Sequence, residues 1–368
     1  MGKLTYLDHG ATSFPKPEPV VWAVTRALRL CANPGRGGYR AAMEADRQVY
    51  SCRERAAGLF HCRPEQVVLT TSCTHGLNIA IRSLVSPGDP VVISGFEHNA
   101  VVRPLHALGA QLHIAGRRLF DVEDTLEQFR RNLDRGPKAA VFTHVSNVFG
   151  YILPVEEMAR MCRDRGIPFI IDAAQSAGTL ALDFEALGAD FVAMPGHKGL
   201  LGPQGTGLLL CRDTARPLIY GGTGSMSQSR EMPEDLPERL EPGTMNVPGI
   251  AGLAAGLKIA EGHVKPGILP GEQALVRETA RALQRRGCRV FAGPHQALTI
   301  SFVPNMDCEE AARRLERGGI AVRAGLHCAP LAHESAGTLD TGTVRVSFGY
   351  GSSHREKEAL LRALSNIS

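Results

Sequence analysis

The sequence predicts an α/β protein: a mostly parallel sheet sandwiched by helices, with a smaller C-terminal α/β domain. Two observations carry this. Short apolar runs alternate with amphipathic stretches as far as residue 211, the rhythm of strands joined by helical crossovers. Past about residue 250 the rhythm changes, and 368 residues suffice for two cores.

In order, a strand at Val67–Leu69 precedes a helical pattern at Gly76–Leu84, and Pro90–Ile93 precedes Ala100–Leu108. Leu112–Ala115 precedes Val122–Leu133, Ala139–Phe142 precedes Val155–Arg165, and Phe169–Ile171 precedes Phe184–Leu187. The runs Phe191–Met194 and Leu208–Cys211 follow too closely for a helical crossover, so they pair antiparallel. The polar, Met/Ser-rich loop Gly221–Pro237 reads as mobile or as covering an interface. A helix at Ile250–Glu261 ends at the Pro/Gly-rich stretch from Lys265 to Gly271. Helices follow at Glu272–Arg286, Cys308–Arg317 and Arg355–Leu364, with strands at Leu298–Phe302 and Thr343–Ser347. The expected division is an N-terminal segment 1–15, a large domain 16–250 and a small domain 251–368.

Composition narrows the function. Apolar residues make up 43% and charged residues 21%, as in soluble globular proteins. The net charge is +4 and no basic cluster interleaves with aromatics, so neither nucleic acid nor a membrane surface is an expected partner. No apolar stretch approaches ~18 residues, and the N-terminus has neither a signal-peptide core nor a convincing acylation motif. The nine cysteines are odd in number and none are spaced C-x-x-C, so no disulfide framework or zinc site is implied. So many free thiols suit a reducing cytoplasm.

The chemistry concentrates around Lys198. It lies in Gly196-His-Lys198, on a Gly/Pro-dense turn between two apolar strands. A lysine held there is poorly solvated, which lowers its pKa and frees its lone pair for a Schiff base. Upstream, the apolar run Phe169–Ile171 ends abruptly in Asp172. An acid at the C-terminal end of a buried strand is where open α/β sheets keep ligand chemistry. Pyridoxal phosphate needs both parts: a lysine to hold it, and a carboxylate to keep its ring nitrogen protonated. The alternatives are a solvated surface lysine and a helix N-cap.

Around these residues the chain resembles the cysteine desulfurase and selenocysteine lyase family of class V aminotransferase-fold enzymes. The likeness runs from Tyr6-Leu-Asp-His-Gly-Ala-Thr12 to Val344-Arg-Val-Ser347. It passes through Thr70-Thr-Ser-Cys-Thr-His-Gly76, Glu97-His98, His144-Val-Ser-Asn147, Asp172, Gly196-His-Lys198, Glu241-Pro-Gly-Thr244 and Arg323-Ala-Gly-Leu-His-Cys328. It implies the pyridoxal-phosphate transferase fold of type I and a cytoplasmic homodimer.

The resemblance assigns roles by position. Thr74 and the amide of His75 bind the cofactor phosphate at a helix start. His98 stacks on the ring and relays protons. Asn147 touches cofactor or substrate carboxylate, and Gln175 donates to the ring 3-oxygen. His197 lies on the phosphate side. Relatives often carry Ser two residues before that histidine; here Pro195 stands there, so one phosphate contact is missing. Thr244 is either a turn residue or a contact to the neighbouring subunit's phosphate.

Arg345 on an apolar strand needs an anion: the substrate carboxylate or an internal salt bridge. Arg323 is a second guide for substrate. Cys328, bracketed by glycine and proline and beside His327 and Arg323, is the expected thiolate nucleophile, on the short-loop pattern. The implied reaction takes L-cysteine to L-alanine and leaves a persulfide on Cys328 for an unidentified acceptor protein. L-selenocysteine is a second substrate. The rivals are a different class V aminotransferase or lyase, and a non-catalytic binding relative.

Overall fold

The computed structural model describes residues 4–35, 37–225, 227–264 and 268–365. A short strand β1 (Thr5–Tyr6) leads into helices α1 (Glu18–Leu30) and α2 (Arg40–Phe60). Then strands and helices alternate: β2 (Val67–Thr70), α3 (Cys73–Leu84), β3 (Pro90–Ser94), α4 (Asn99–Ala107), β4 (Gln111–Ala115), α5 (Val122–Leu133), β5 (Ala139–Thr143), α6 (Val155–Arg163), β6 (Phe169–Asp172), α7 (Phe184–Leu187), β7 (Phe191–Pro195) and β8 (Gly207–Cys211). The remainder is α8 (Val247–His263), α9 (Ile268–Gln284), β9 (Arg289–Phe291), β10 (Thr299–Val303), α10 (Cys308–Arg317), β11 (Ile320–Ala321), β12 (Arg323–Gly325), α11 (Pro330–Ala336), β13 (Thr343–Ser347) and α12 (His354–Ser365).

Seven strands form one sheet in the order β2-β8-β7-β6-β5-β3-β4. β3 to β7 pair parallel, and β8 alone runs against them, between β7 and β2. The antiparallel pair expected from the short gap is present, with Phe191 opposite Cys211. The period-2 pleat sorts side chains to two cores. Ala140 and Phe142 join one cluster with α2, α5, α6 and α8, while Ala139 and Val141 join the other with α3 and α4.

A four-stranded antiparallel sheet, β12-β13-β10-β9, builds the C-terminal core with α9, α10 and α12. Packing moves the division expected at residue 250. That point falls inside α8, whose Ile250, Leu253, Leu257 and Ala260 lie in the large core. The second core begins at Leu275 and takes in Leu7 from the N-terminal segment. Helices α1 and α2 stand where the strand–helix alternation gives no signal. Yet Ala42, Ala45, Val49, Cys52, Ala56 and Phe60 are buried at helical spacing, and that pattern was readable.

The N-terminal segment crosses from the small domain to the large one. β1 pairs with β11, and Gly10 N–H donates to Ser347 Oγ at 2.7 Å. Farther on, Thr12 Oγ1, Ser13 N, Ser13 Oγ and Lys16 Nζ all donate to the carbonyl of His197, at 2.8–3.1 Å. The residue before Lys198 is thus held by a strap from the far end of the chain.

Candidate active site

A cavity of about 260 Å³ opens at the C-terminal ends of β2, β3, β5, β6 and β7. Those are the ends at which an open α/β sheet leaves helix N-termini and loops free to meet a ligand. Thr74, His98, Asn147, Asp172, Gln175, His197, Lys198, Arg323, Cys328 and Arg345 all line it. Of the residues singled out from the sequence, His75 and Thr244 are not in its wall.

Asp172 ends β6 and is 2% exposed. Its Oδ1 accepts from Ala174 N at 2.9 Å and from the Cys73 thiol at 3.4 Å. Both bonds load one oxygen, and the carboxylate faces the cavity. Burial holds the Cys73 thiol well above its usual range, so it is a neutral donor. Lys198 is half-buried. Burial lowers its amine pKa, against Asp172, which acts to raise it.

His98 caps α4: its Nδ1 accepts from Ala100 N at 3.0 Å. Burial lowers its pKa, with Asp172 opposing. The ring is therefore neutral with its proton on Nε2. His197 is also neutral, pushed down to about 4 mainly by burial, and its Nδ1 meets Thr12 Oγ1 at 3.1 Å. Gln175 Nε2 donates to Gly10 O at 3.0 Å.

Asn147 lies four residues past the end of β5, beyond the strand end read from sequence. Its Nδ2 donates to His327 O at 2.8 Å, while its Oδ1 is buried without a partner. Arg345, 2% exposed, donates from Nη1 to Asn147 O at 3.1 Å and from Nη2 to Asp8 Oδ1 at 2.6 Å. Its Nε is buried and unpaired. The internal salt bridge weighed from sequence is thus present, and it leaves Nε free. Asp8 is a site residue that the sequence reading quoted within a motif but gave no role.

Cys328 is exposed, on the short connection between β12 and α11. His327 does not act as the neighbouring cation expected from sequence. Burial pushes its pKa down to about 2, so it stays neutral. Arg323 remains the charged neighbour, and among the described residues it has no ion-pair partner. The nine cysteines are all unpaired.

The set fits pyridoxal phosphate. Asp172 would face the ring nitrogen, Lys198 would hold the aldehyde carbon and His98 would cover the ring. Thr74 and the start of α3 would receive the phosphate. Pro195 lines the cavity and brings no hydroxyl. Ser72, which the sequence reading passed over, brings one, and its Oγ also accepts from His75 N at 3.2 Å. The buried, unpaired Asn147 Oδ1 and Arg345 Nε are polar groups that a bound ligand would satisfy.

Thr244 is exposed. Its segment is anchored by Glu241, which is paired with the buried Arg53 and accepts from Leu69 N at 2.6 Å.

Known proteins resemble this chain along nearly its whole length. The family model for class-V aminotransferases matches residues 5–360. A probable cysteine desulfurase from Methanothermobacter thermautotrophicus is 33% identical, over 99% of this chain and 94% of the relative. The apo structure of a cysteine desulfurase from Thermococcus onnurineus NA1 superposes with a TM-score of 0.90 at 31% identity, over 99% of this chain and 94% of that one. The Escherichia coli cysteine desulfurase CsdA, in an S-sulfonic acid form, gives 0.82 at 27% identity over the same shares.

Proposed function

This chain belongs to the class-V aminotransferase family, in its cysteine desulfurase branch, and from that premise we propose that Cys328 is the thiol that takes sulfur from L-cysteine. The protein is a pyridoxal-phosphate-dependent cysteine desulfurase. The observation that carries the assignment to Cys328 is its place: of the nine cysteines only Cys73 and Cys328 line the cavity, and Cys73 is buried against Asp172.

When bound, pyridoxal phosphate supplies the ring that absorbs the electron pair released at Cα. The residues do the rest. Arg345 Nε and the adjoining Nη receive the substrate carboxylate, with Asp8 sharing or yielding the fork. Lys198, its pKa lowered by burial, takes the Cα proton. His98 gives and recovers a proton at Nε2. Cys328 thiolate attacks the substrate sulfur. An S–S bond forms, the Cβ–S bond breaks, and its electron pair stays on carbon, which is then protonated. The balance is L-cysteine plus Cys328–SH giving L-alanine plus Cys328–S–SH. An acceptor protein's thiol, or a small reductant, then removes the outer sulfur. L-Selenocysteine is a second substrate, because its weaker C–Se bond breaks without the thiol.

The working unit is a homodimer in which Thr244 reaches the partner's phosphate site. Its exposed position away from its own chain's cavity supports this. Nine free cysteines support a reducing, cytoplasmic setting. Among the described residues no helix is long and apolar enough to cross a membrane.

The test measures alanine and sulfide released from L-cysteine, with and without reductant, for the parent and Cys328→Ser. The parent should gain one sulfur on the Cys328 peptide by mass spectrometry. The variant should keep the cofactor absorbance, lose alanine release from L-cysteine and retain part of its activity on L-selenocysteine. Alanine release at the parent rate in Cys328→Ser, or the extra sulfur on another cysteine, would overturn the assignment.

A further inference from the structure

Cys328 and the residue before it both have left-handed backbones, with φ of 57° at Cys328 and 50° at His327. Neither is glycine, and two such residues in a row do not persist unless something holds them. Three contacts do so. Asn147 Nδ2 donates to the carbonyl of His327, and Asn99 N to the carbonyl of Cys328, both at 2.8 Å. The third comes from the loop's own side chain: His327 Nε2 lies 3.1 Å from both the carbonyl and Oγ1 of Thr343.

We propose that His327 is a positioning residue, whose Nε2–H bond to Thr343 holds Cys328 in the backbone conformation that presents its thiol to the substrate. The inference rests on reading Cys328 as the sulfur acceptor. It gives a role to a buried histidine that the chemistry above does not use.

The donor is unambiguous. A backbone carbonyl only accepts, so Nε2 carries the proton and Nδ1 is bare. Nδ1 is indeed buried without a partner. The neutral ring, kept so by burial, preserves this single-donor arrangement at working pH. His333 packs on it with ring centroids 5.8 Å apart, which limits its rotation.

The anchor's location matters most. Thr343 and Arg345 are two residues apart on β13 and so share one face. Arg345 fixes the substrate carboxylate, and Thr343, through His327, fixes the nucleophile. One strand therefore sets the separation between the two ends of the amino acid that the enzyme grips. The same face of β13 becomes a ruler for cysteine-sized substrates.

Three variants test this. Gln places its amide nitrogen near the position of histidine Nε2. Asn cannot reach it, but tolerates a left-handed backbone better than Gln does. His327→Phe keeps bulk and loses the donor. With a buried carbonyl left unpaired, His327→Phe and His327→Asn should lose about tenfold in kcat on L-cysteine. KM and the visible absorbance of the bound cofactor should stay close to the parent's. His327→Gln should stay within about threefold of the parent.

Alkylation of Cys328 by iodoacetamide, followed by peptide mass spectrometry without substrate, reads the thiol's placement directly. Its rate should rise in the Phe and Asn variants and not in Gln. Asn performing as well as Gln would show that backbone conformation alone matters and would overturn the proposal, as would parent-like behaviour of the Phe variant. If Phe does not fold, the Gln–Asn pair still decides. Cys328→Ser is run alongside. Should it turn over L-cysteine normally, the acceptor reading fails, and the alkylation rates still show whether His327 holds the thiol.

Discussion

At Arg345 one guanidinium serves two oxygens and keeps a third nitrogen in reserve. Asp8 and the Asn147 carbonyl take an Nη each, and Nε waits in a buried setting. An ammonium cannot reproduce that planar fork. Arg345→Lys should therefore raise KM for L-cysteine roughly tenfold or more, with the cofactor's absorbance intact. Saturation kinetics beside an absorbance spectrum check both halves. Asp172 poses the complementary case. Asp172→Asn keeps the size and the contact to Ala174 but removes the charge that keeps a ring nitrogen protonated. The variant should fold and lose most of its turnover. Near-parent turnover would reduce Asp172 to a helix cap.

At the scale of elements, the turn between β7 and β8 delivers Lys198, and glycines let its neighbours close on it. Gly178 has φ +80°, and a Cβ there would lie 2.4 Å from Gly199 O, one residue from Lys198. A Cβ at Gly256 on α8 would lie 2.3 Å from Leu200 O. The turn is thus clamped between two backbones and the N-terminal strap. Gly178→Ala must strain its own φ and push the turn away. It should cost ~1–3 kcal/mol of stability and lower cofactor retention. Thermal melting and the ratio of cofactor to protein absorbance measure the two effects, and an unchanged ratio would mean the turn tolerates displacement.

Over the whole molecule, buried neutral histidines set the response to acid. Burial lowers His9, His144, His197 and His333 to about 4, and His327 to about 2, from 6.5. Between about 4 and 6.5 the unfolded chain binds protons that the folded chain refuses. Stability is therefore full above about 6.5 and is lost as pH falls through this window. Glu97, raised to about 8 by burial, acts the other way, as do Asp190 and Glu241, but His75 and His98 are lowered too, so three acids stand against seven histidines. The melting temperature should fall on the order of 5 °C from pH 7 to pH 5. A flat profile would show that these histidines reach solvent.

Assembly gives a second test at this scale. In a mixed dimer of one Thr244→Ala subunit and one Lys198→Ala subunit, the only intact lysine sits in the Thr244→Ala subunit. If Thr244 acts across the interface, that site borrows its partner's threonine and turns over normally. Weakened cofactor binding there would assign Thr244 to its own chain.

The sequence by itself determined the layered sheet and the candidates at its strand ends. Apolar runs of four or five residues and the abrupt polar residues that end them are local signals. Lys198, Asp172 and His98 each announce themselves within a few positions. It could not determine what converges from afar. Asp8 meets Arg345 across 337 positions, and Cys73 meets Asp172 across 99. His327 reads from sequence as a cation beside a thiol. Only burial, decided by the packing of β12, α11 and β13, makes it neutral and turns it to Thr343. Helix α8 looked like the start of a second domain because its neighbours in sequence are C-terminal; its neighbours in space are the large core. Local pattern specifies elements and reactive groups. Charge state, partner and domain membership depend on what surrounds a residue after the chain has closed, and no spacing rule carries that information.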